Sequence, residues 1–155
     1  MKYNFKKMSQ KQAEKIALNW HYEGEYSFYD FEADEEDLAE LLSPQERGEK
    51  YYTVKKDDEE VGFFYFENEG DFVVIGLGMK PELTGNGMGL EFLRAGMRYA
   101  ILKYNPNEIK LAVATFNERA IKVYQRAGFE TDGTYMQDIN GSQFEFFKMK
   151  YDCLG

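Results

Sequence analysis

The sequence has little of what disulfide or metal chemistry requires. Among 155 residues there is one cysteine, Cys153, and one histidine, His21. A single thiol excludes both a disulfide framework and a cysteine-rich zinc site. We therefore expect a protein without disulfides and without a bound metal.

Long hydrophobic runs are also missing. The longest apolar stretch covers residues 72–79 and contains Gly76 and Gly78, whereas a membrane-spanning helix needs about 20 apolar residues. No apolar stretch follows the lysines of residues 1–7, so we expect no signal peptide. These features predict a cytoplasmic protein.

Positive charge is scarce and unevenly placed. There are 19 basic and 28 acidic residues, a net charge of −9, which disfavours nucleic acid and anionic membranes as partners. Residues 23–60, here called the acidic segment, hold 15 acidic and four basic residues, and the rest of the chain is nearly balanced. The acidic segment is either a solvated helical face or the border of a site for a cationic substrate.

The composition otherwise fits an ordinary globular domain. Hydrophobic residues make up 43% and charged residues 30% of the chain, and the length suits one domain over residues 1–155. Aromatic residues reach 17%, enough to fill a core or to line a pocket.

Hydrophobic periodicity and turn signals predict a mixed sheet. Ser9 and Gln12 have the spacing of a helix capping box, and Asn140-Gly141 indicates a tight hairpin turn. The predicted strands are 2–6, 51–55, 61–67, 72–79, 109–114, 129–139 and 143–151, and the predicted helices are 10–19, 33–42, 90–104 and 117–127.

This order of elements predicts an α/β fold, in the α+β mixed-sheet sense, with helices on both faces. The strand at 72–79 is apolar almost throughout, so we expect it to be central and buried on both faces. The helix after it makes a crossover, so strands 72–79 and 109–114 should be parallel in a mostly antiparallel sheet. The apolar face of that helix is predicted at Leu90, Leu93, Met97 and Ile101.

A glycine-rich loop, Thr84-Gly85-Asn86-Gly87-Met88-Gly89, joins the central strand to the long helix. Its exposed backbone N–H groups and the helix N-terminus would suit a pyrophosphate. It is no Walker A loop, and Leu90 and Phe92 stand where a dinucleotide fingerprint would need a further glycine. A plain tight turn remains the alternative.

Two segments together resemble the GCN5-related N-acetyltransferase (GNAT) superfamily. Residues 79–89 are similar to its strand ending in x-x-Pro followed by Arg/Gln-x-x-Gly-x-Gly/Ala, and residues 117–129 to its motif Asn-x-x-Ala-x-x-x-Tyr-x-x-x-Gly-Phe. The order of elements is similar along essentially the whole chain. Thr84 departs from the Arg/Gln position, which weakens or replaces one side-chain contact to the phosphates.

The resemblance implies an acyl-CoA N-acyltransferase fold with acetyl-CoA as cosubstrate, bound where the parallel strands splay apart. It further implies direct transfer of the acetyl group to a primary amine in a ternary complex. Tyr124 would be the catalytic acid for the departing thiolate, because a phenol pKa near 10 matches that of an alkyl thiol. The implied cofactor-binding residues are Leu77, Met79, Thr84, Gly85, Asn86, Gly87, Met88, Gly89, Asn117 and Tyr124.

The general base is less evident. The family's acidic positions correspond to Ala112 and to residues 73–76, which carry no acid. His21, Glu25, Glu67 and Glu145 remain candidates for the base, and deprotonation through ordered water is an alternative.

The aromatic and acidic stretch at residues 20–31 falls where the family binds its acceptor. The candidate acceptor-binding residues are Trp20, Tyr22, Glu25 and Tyr26, since aromatic rings and carboxylates hold ammonium groups. Alternatively, Trp20, Phe28 and Phe31 only fasten the acidic helix to the sheet.

The acceptor, a small-molecule or protein amine, stays open among a polyamine, an amino acid, an aminoglycoside-like compound and a protein. Two other functions stay open as well, a non-catalytic acyl-CoA-binding module and a protein-interaction domain that keeps the fold. The protein is expected to be a monomer or a homodimer.

Overall fold

A computed structural model describes residues 3–22, 24–30, 33–84 and 87–154, without the side chains of residues 25, 27 and 28. The strands are β1 (Tyr3–Lys7), β2 (Tyr51–Lys56), β3 (Glu59–Asn68), β4 (Phe72–Met79), β5 (Glu108–Ala114), β6 (Glu130–Ile139) and β7 (Ser142–Asp152). The helices are α1 (Gln10–Asn19), α2 (Glu35–Leu42), α3 (Pro44–Arg47), α4 (Gly89–Tyr104) and α5 (Glu118–Ala127), with short 3₁₀ segments at Gly24–Tyr29 and Pro81–Leu83.

The strands form one sheet in the order β1-β2-β3-β4-β5-β7-β6. β4 is central, and its pairing with β5 is parallel, whereas the other pairings are antiparallel. The predicted parallel pair and its crossover helix are confirmed. No helix in the described part of the chain is both long and apolar enough to cross a membrane.

Helices cover both faces of the sheet, as predicted. Because side chains alternate along a strand, β3 contributes to two cores. Phe64 and Phe66 belong to the core that α4 covers, while Phe63 and Tyr65 pack against the core built by α1 and α2.

Local signals set the ends of the elements. Ser9 and Gln12 form both hydrogen bonds of the predicted capping box. Asn117 caps α5 by accepting a hydrogen bond from the Ala120 N–H at 3.2 Å. Asn140 and Gly141 have φ angles of 50° and 87°, as the predicted hairpin turn requires.

Three details differ from the prediction. The second helix begins at Glu35 and is followed at once by α3, because Ser43 ends α2 and caps α3. In β4, Val73 and Ile75 are buried but the other residues are partly exposed. The prediction that this strand is buried on both faces was therefore wrong. The buried face of α4 is shifted from the predicted one and consists of Phe92, Leu93, Gly96, Met97 and Ala100.

Gly96 explains the shift of the α4 face. A Cβ at this position would lie 2.2 Å from ring atoms of Phe64, and Phe64 is fully buried. The missing side chain thus lets the helix approach β3 closely, which brings the neighbouring rows of α4 into the core.

Gly96→Ala should therefore destabilise the fold by about 1–3 kcal/mol through overpacking, although alanine is the better helix former by about 1 kcal/mol. Urea unfolding measures the difference. The control is Gly89→Ala in the same helix, whose Cβ would meet Val123 at an ordinary 3.6 Å. If Gly96→Ala is as stable as the unchanged protein, the close approach of α4 to β3 does not depend on the missing side chain at residue 96, and the explanation is contradicted.

Candidate active site

The parallel strands separate soon after they begin. β4 and β5 pair only from Phe72 to Val74 and from Glu108 to Lys110, although both strands continue well beyond these residues. The residues after the split line a cleft of about 690 Å³. This cleft accounts for the partial exposure of β4 from Gly76 to Met79.

The split leaves backbone groups of β4 directed into the cleft. The Lys80 N–H donates to the Val61 carbonyl on the β3 side at 2.8 Å. Successive residues of a strand turn their N–H and C=O groups to opposite sides, so the groups of Met79 and Leu77 face the cleft. Polar backbone groups without a strand partner need another partner, which a bound ligand can supply.

One arm of the cleft, here called the glycine arm, lies at the start of α4 and along α5. Gly87 has φ of 78°, a left-handed conformation that favours glycine. Met88 provides no side-chain cap for the first N–H groups of α4, and such groups form an anion site. The glycine arm is lined by Thr84, Gly87, Gly89, Leu90, Asn117, Arg119, Ala120, Val123 and Arg126.

The predicted loop residues are only partly brought together. Gly87 and Gly89 line the cleft, while Met88 stands at the helix start and is not among the lining residues. The Thr84 hydroxyl donates to the Pro81 carbonyl at 2.8 Å and so is engaged within the loop itself. Gly85 and Asn86 lie outside the described residues.

Tyr124 lies on α5 and lines the cleft. Its ring packs edge-on against Phe129, with 6.0 Å between the ring centres. Burial, with a smaller contribution from Tyr29, raises the pKa of the Tyr124 hydroxyl above its ordinary value. The phenol therefore stays protonated near neutral pH, as a proton donor must.

Asn117 is held in place by a residue that the sequence did not single out. Its Oδ1 caps α5, and its Nδ2 donates to the Tyr29 hydroxyl at 3.2 Å. Nearby, the Arg119 guanidinium lies 4.4 Å from the centre of the Tyr26 ring, a cation–π contact. The 3₁₀ segment Gly24–Tyr29 is thereby fastened to the start of α5.

Tyr22 and Trp20 both line the cleft, but in different ways. The Tyr22 hydroxyl donates to the Met79 carbonyl at 2.7 Å, at the junction between β4 and the acidic segment. Trp20 is only 4% exposed and packs against Phe63, with 6.0 Å between the ring centres. Trp20 thus also fastens the helices to the sheet, which was the alternative expectation for it. The Glu25 side chain lies outside the described residues.

The other arm of the cleft, here called the acidic arm, lies on the α1 and α2 side. It is lined by Asp30, Asp34, Asp37, Glu40, Tyr51 and Tyr65. The two tyrosine rings are 5.0 Å apart. Among the described lining residues, the only lysine or arginine residues are Arg119 and Arg126, and both lie in the glycine arm. The cleft therefore has positive side chains in the glycine arm and carboxylates in the acidic arm.

Burial, with neighbouring carboxylates as a smaller cause, raises pKa values in the acidic arm. Burial, followed by the charges of Asp34 and Glu40, raises the pKa of Asp37 from 3.8 to about 6. Burial also raises the pKa of Glu40, against the opposing effect of Lys50. Carboxylates that resist ionisation next to one another favour a cation between them.

The structure narrows the predicted base candidates. His21, Glu67 and Glu145 are not among the residues lining the cleft. Glu67 instead accepts from the Tyr65 hydroxyl at 2.7 Å and pairs with Lys50. The carboxylates that do line the cleft belong to the acidic arm. Within the described residues no cluster of His, Cys, Asp and Glu is arranged to hold a metal.

The acidic arm was missed as a constellation, although the sequence carries a signal for it. Asp34, Asp37 and Glu40 follow one another at intervals of three, which places them on one face of a helix. Asp30 precedes that helix. The position of Tyr29 against Asn117 has no comparable sequence signal, because the two residues are distant in the chain.

Comparison with known proteins agrees with this geometry. Residues 4–130 match a family model described as acetyltransferase (GNAT) domain. The spermidine N(1)-acetyltransferase of Escherichia coli K12 is 26% identical over 112 residues, which cover 67% of this chain and 59% of that protein. The chain thus spans less than two thirds of the length of this relative.

Two solved structures have the same fold. An acetyltransferase of the GNAT family from Bacillus anthracis superposes with a TM-score of 0.76 at 17% identity, covering 98% of this chain and 95% of that one. The spermidine N-acetyltransferase from Vibrio cholerae, in complex with CoA and spermine, has a TM-score of 0.72 at 17% identity, covering 97% and 95%.

Asp37→Asn should stabilise the fold at pH 8 but not at pH 4. The raised pKa of about 6 means that the folded state binds its proton more tightly than the unfolded state. Stability is therefore lost as the pH rises from about 4 through 6, and asparagine avoids this loss. Thermal unfolding from pH 4 to 8 measures the difference.

Glu36→Gln is the control, because Glu36 lies in the same helical turn but is not among the cleft-lining residues. It should give a smaller gain at pH 8 than Asp37→Asn does. Equal melting temperatures for Asp37→Asn and the unchanged protein at every pH would contradict the raised pKa of Asp37.

Proposed function

Because the chain belongs to the GNAT acetyltransferase family, we propose that it is an N-acetyltransferase that moves the acetyl group of acetyl-CoA to a linear polyamine. The observation that carries the proposal is the divided cleft, which has helix N–H groups and arginines in one arm and carboxylates and tyrosines in the other. An anionic cofactor and a cationic acceptor can then meet where β4 and β5 separate.

Acetyl-CoA occupies the glycine arm in this proposal. The N–H groups of residues 87–89 hold the pyrophosphate, and the backbone groups of Leu77 and Met79 run along the pantetheine. The Met79 carbonyl already accepts from Tyr22, which fixes that end of β4. Asn117 holds the start of α5 beside the cofactor, and Thr84 adds no charged contact to the phosphates.

Acetyl transfer proceeds by direct attack. The acceptor nitrogen attacks the thioester carbonyl, and the tetrahedral oxyanion is stabilised by backbone N–H groups of the split strand. Collapse of this intermediate breaks the C–S bond, and Tyr124 donates its proton to the departing thiolate. The amine gives up its own proton through water or to a carboxylate of the acidic arm.

The acidic arm favours a linear acceptor with more than one positive charge. From Asp34 to Glu40 the carboxylates follow α2 for about 9 Å at 1.5 Å per residue. Tyr51 and Tyr65 line the same arm and add aromatic rings near an ammonium group bound there. The relative from E. coli is named for spermidine, and the solved neighbour from V. cholerae contains spermine, which supports this class of acceptor.

A second candidate is an acyl-CoA-binding module without turnover. It is favoured by Ala112, which lines the cleft where some family members carry an acid. Incubation with acetyl-CoA and a panel of amines, with detection of the free CoA thiol, separates the two functions. Thiol release that depends on spermidine supports the transferase, and binding of acetyl-CoA without release for any amine supports the module.

Glu40→Gln should raise the KM for spermidine about tenfold, because a charge-assisted contact to the substrate is lost. The KM for acetyl-CoA should stay the same. The effect should be larger at low ionic strength, as for any charge–charge contact. The matched control is Glu36→Gln, the same change on the same helix outside the cleft lining. An equal spermidine KM in both variants would assign the carboxylates to a solvated face.

Tyr124→Phe should lower single-turnover transfer by about 100-fold or more, the effect of losing a positioned acid. Acetyl-CoA affinity should change little, since phenylalanine keeps the packing against Phe129. Rapid-quench measurements follow the chemical step without interference from product release. Weakened cofactor binding with a normal transfer rate would make Tyr124 a packing residue.

A further inference from the structure

The hairpin of β6 and β7 lines the cleft next to the start of α2. Gln137, Ile139 and Phe146 of the hairpin line the same cleft as Asp34 and Asp37 of the α2 region. The hairpin and the start of α2 therefore form two facing walls, which the sequence separates by about 100 residues.

The Asn140 side chain connects the two walls. Asn140 lies in the hairpin turn, and its Nδ2 donates a hydrogen bond to the Ala33 carbonyl. Its Oδ1 accepts a hydrogen bond from the Glu35 N–H at 3.5 Å. Ala33 and Glu35 flank Asp34, the residue that caps α2. These two hydrogen bonds of Asn140, here called the bridge, thus hold the start of α2, the helix that carries Asp37 and Glu40 of the acidic arm.

The turn itself does not require this side chain. Asn140 has φ of 50°, a conformation that glycine adopts at least as readily. β6 lies at the edge of the sheet, and most of its residues are exposed. The hairpin end therefore gains a fixed position relative to α2 from the two hydrogen bonds of Asn140.

We propose that Asn140 is a specificity-determining positioning residue that closes the acidic arm into a slot for unbranched amines. This proposal rests on the proposed function, because it concerns the acceptor of the same cleft. With the bridge in place, a linear polyamine passes between the hairpin and α2, whereas a branched polyamine of similar charge is too wide. Without it, the walls separate and the preference is lost.

Asn140→Gly tests the proposal because it keeps the turn and removes both hydrogen bonds. The matched control is Asp57→Gly at the corresponding position of the β2–β3 turn, where φ is 51°. The two acceptors compared are spermidine, which is linear, and tris(2-aminoethyl)amine, which is branched. Asn140→Gly should lower the ratio of their kcat/KM values about fivefold or more, the effect of losing hydrogen bonds that hold a site.

The acetyl-CoA KM should remain unchanged in Asn140→Gly, and the control should keep the selectivity ratio of the unchanged protein. An unchanged ratio in Asn140→Gly would overturn the specificity role. So would an equal drop in Asp57→Gly, since that loss would not depend on the bridge.

Amide hydrogen exchange of the protein without ligands tests the bridge independently of enzymatic activity. The amides of residues 35–37 should exchange faster in Asn140→Gly than in the control, because the start of α2 is no longer held. Unchanged exchange would overturn the bridge even if the enzyme acetylates polyamines. Faster exchange in a protein that acetylates no amine would leave the bridge supported and the proposed function wrong.

Discussion

The early end of the pairing between β4 and β5 is the constraint on which the rest of the structure depends. Three residues of each strand pair, and beyond them the sheet opens toward both of its faces. The opening turns the backbone groups of Leu77 and Met79 into potential ligand contacts. It also joins the glycine arm to the acidic arm. The acidic arm lies under α1 and α2, which pack on the face of the sheet opposite to α4.

The division of charge across this opening has a physical cost that a ligand would offset. Burial, together with the charges of Asp34 and Glu40, raises the pKa of Asp37, so part of the folding free energy is lost when Asp37 ionises. Groups held in such an arrangement are typical of binding sites. A polycation relieves the repulsion, and this links the electrostatics of the free protein to its proposed acceptor.

Much of the fold could be predicted because its signals are local. The capping box at Ser9 and the turn at Asn140-Gly141 depend on residues that adjoin in sequence, and so does the hydrophobic pattern of β4. The partial exposure of β4 could not be predicted, since a strand that lines an apolar cleft has the same composition as one buried in a core. The shifted face of α4 depends on Gly96, whose effect arises from a distant ring, Phe64.

The candidate site was predictable to the same extent. The two motifs located Gly87, Gly89 and Tyr124, which line one cleft. The contacts of Asn117 with Tyr29 and of Asn140 with Ala33, in contrast, join segments about 90 to 107 residues apart. Such contacts follow from tertiary packing and leave no periodic trace. The acidic face of α2 could be predicted in part. The spacing of three between its acidic residues is visible in the sequence, but the direction in which this face points depends on tertiary packing.

A crystal structure of the protein with CoA and spermidine bound together tests the central claim most directly. We expect the pyrophosphate at residues 87–89 and the CoA sulfur beside the Tyr124 hydroxyl. Spermidine should lie in the acidic arm with an ammonium group at hydrogen-bond distance, about 3 Å, from Asp37 or Glu40. Spermidine bound outside the cleft, or a pyrophosphate away from the start of α4, would contradict the central claim.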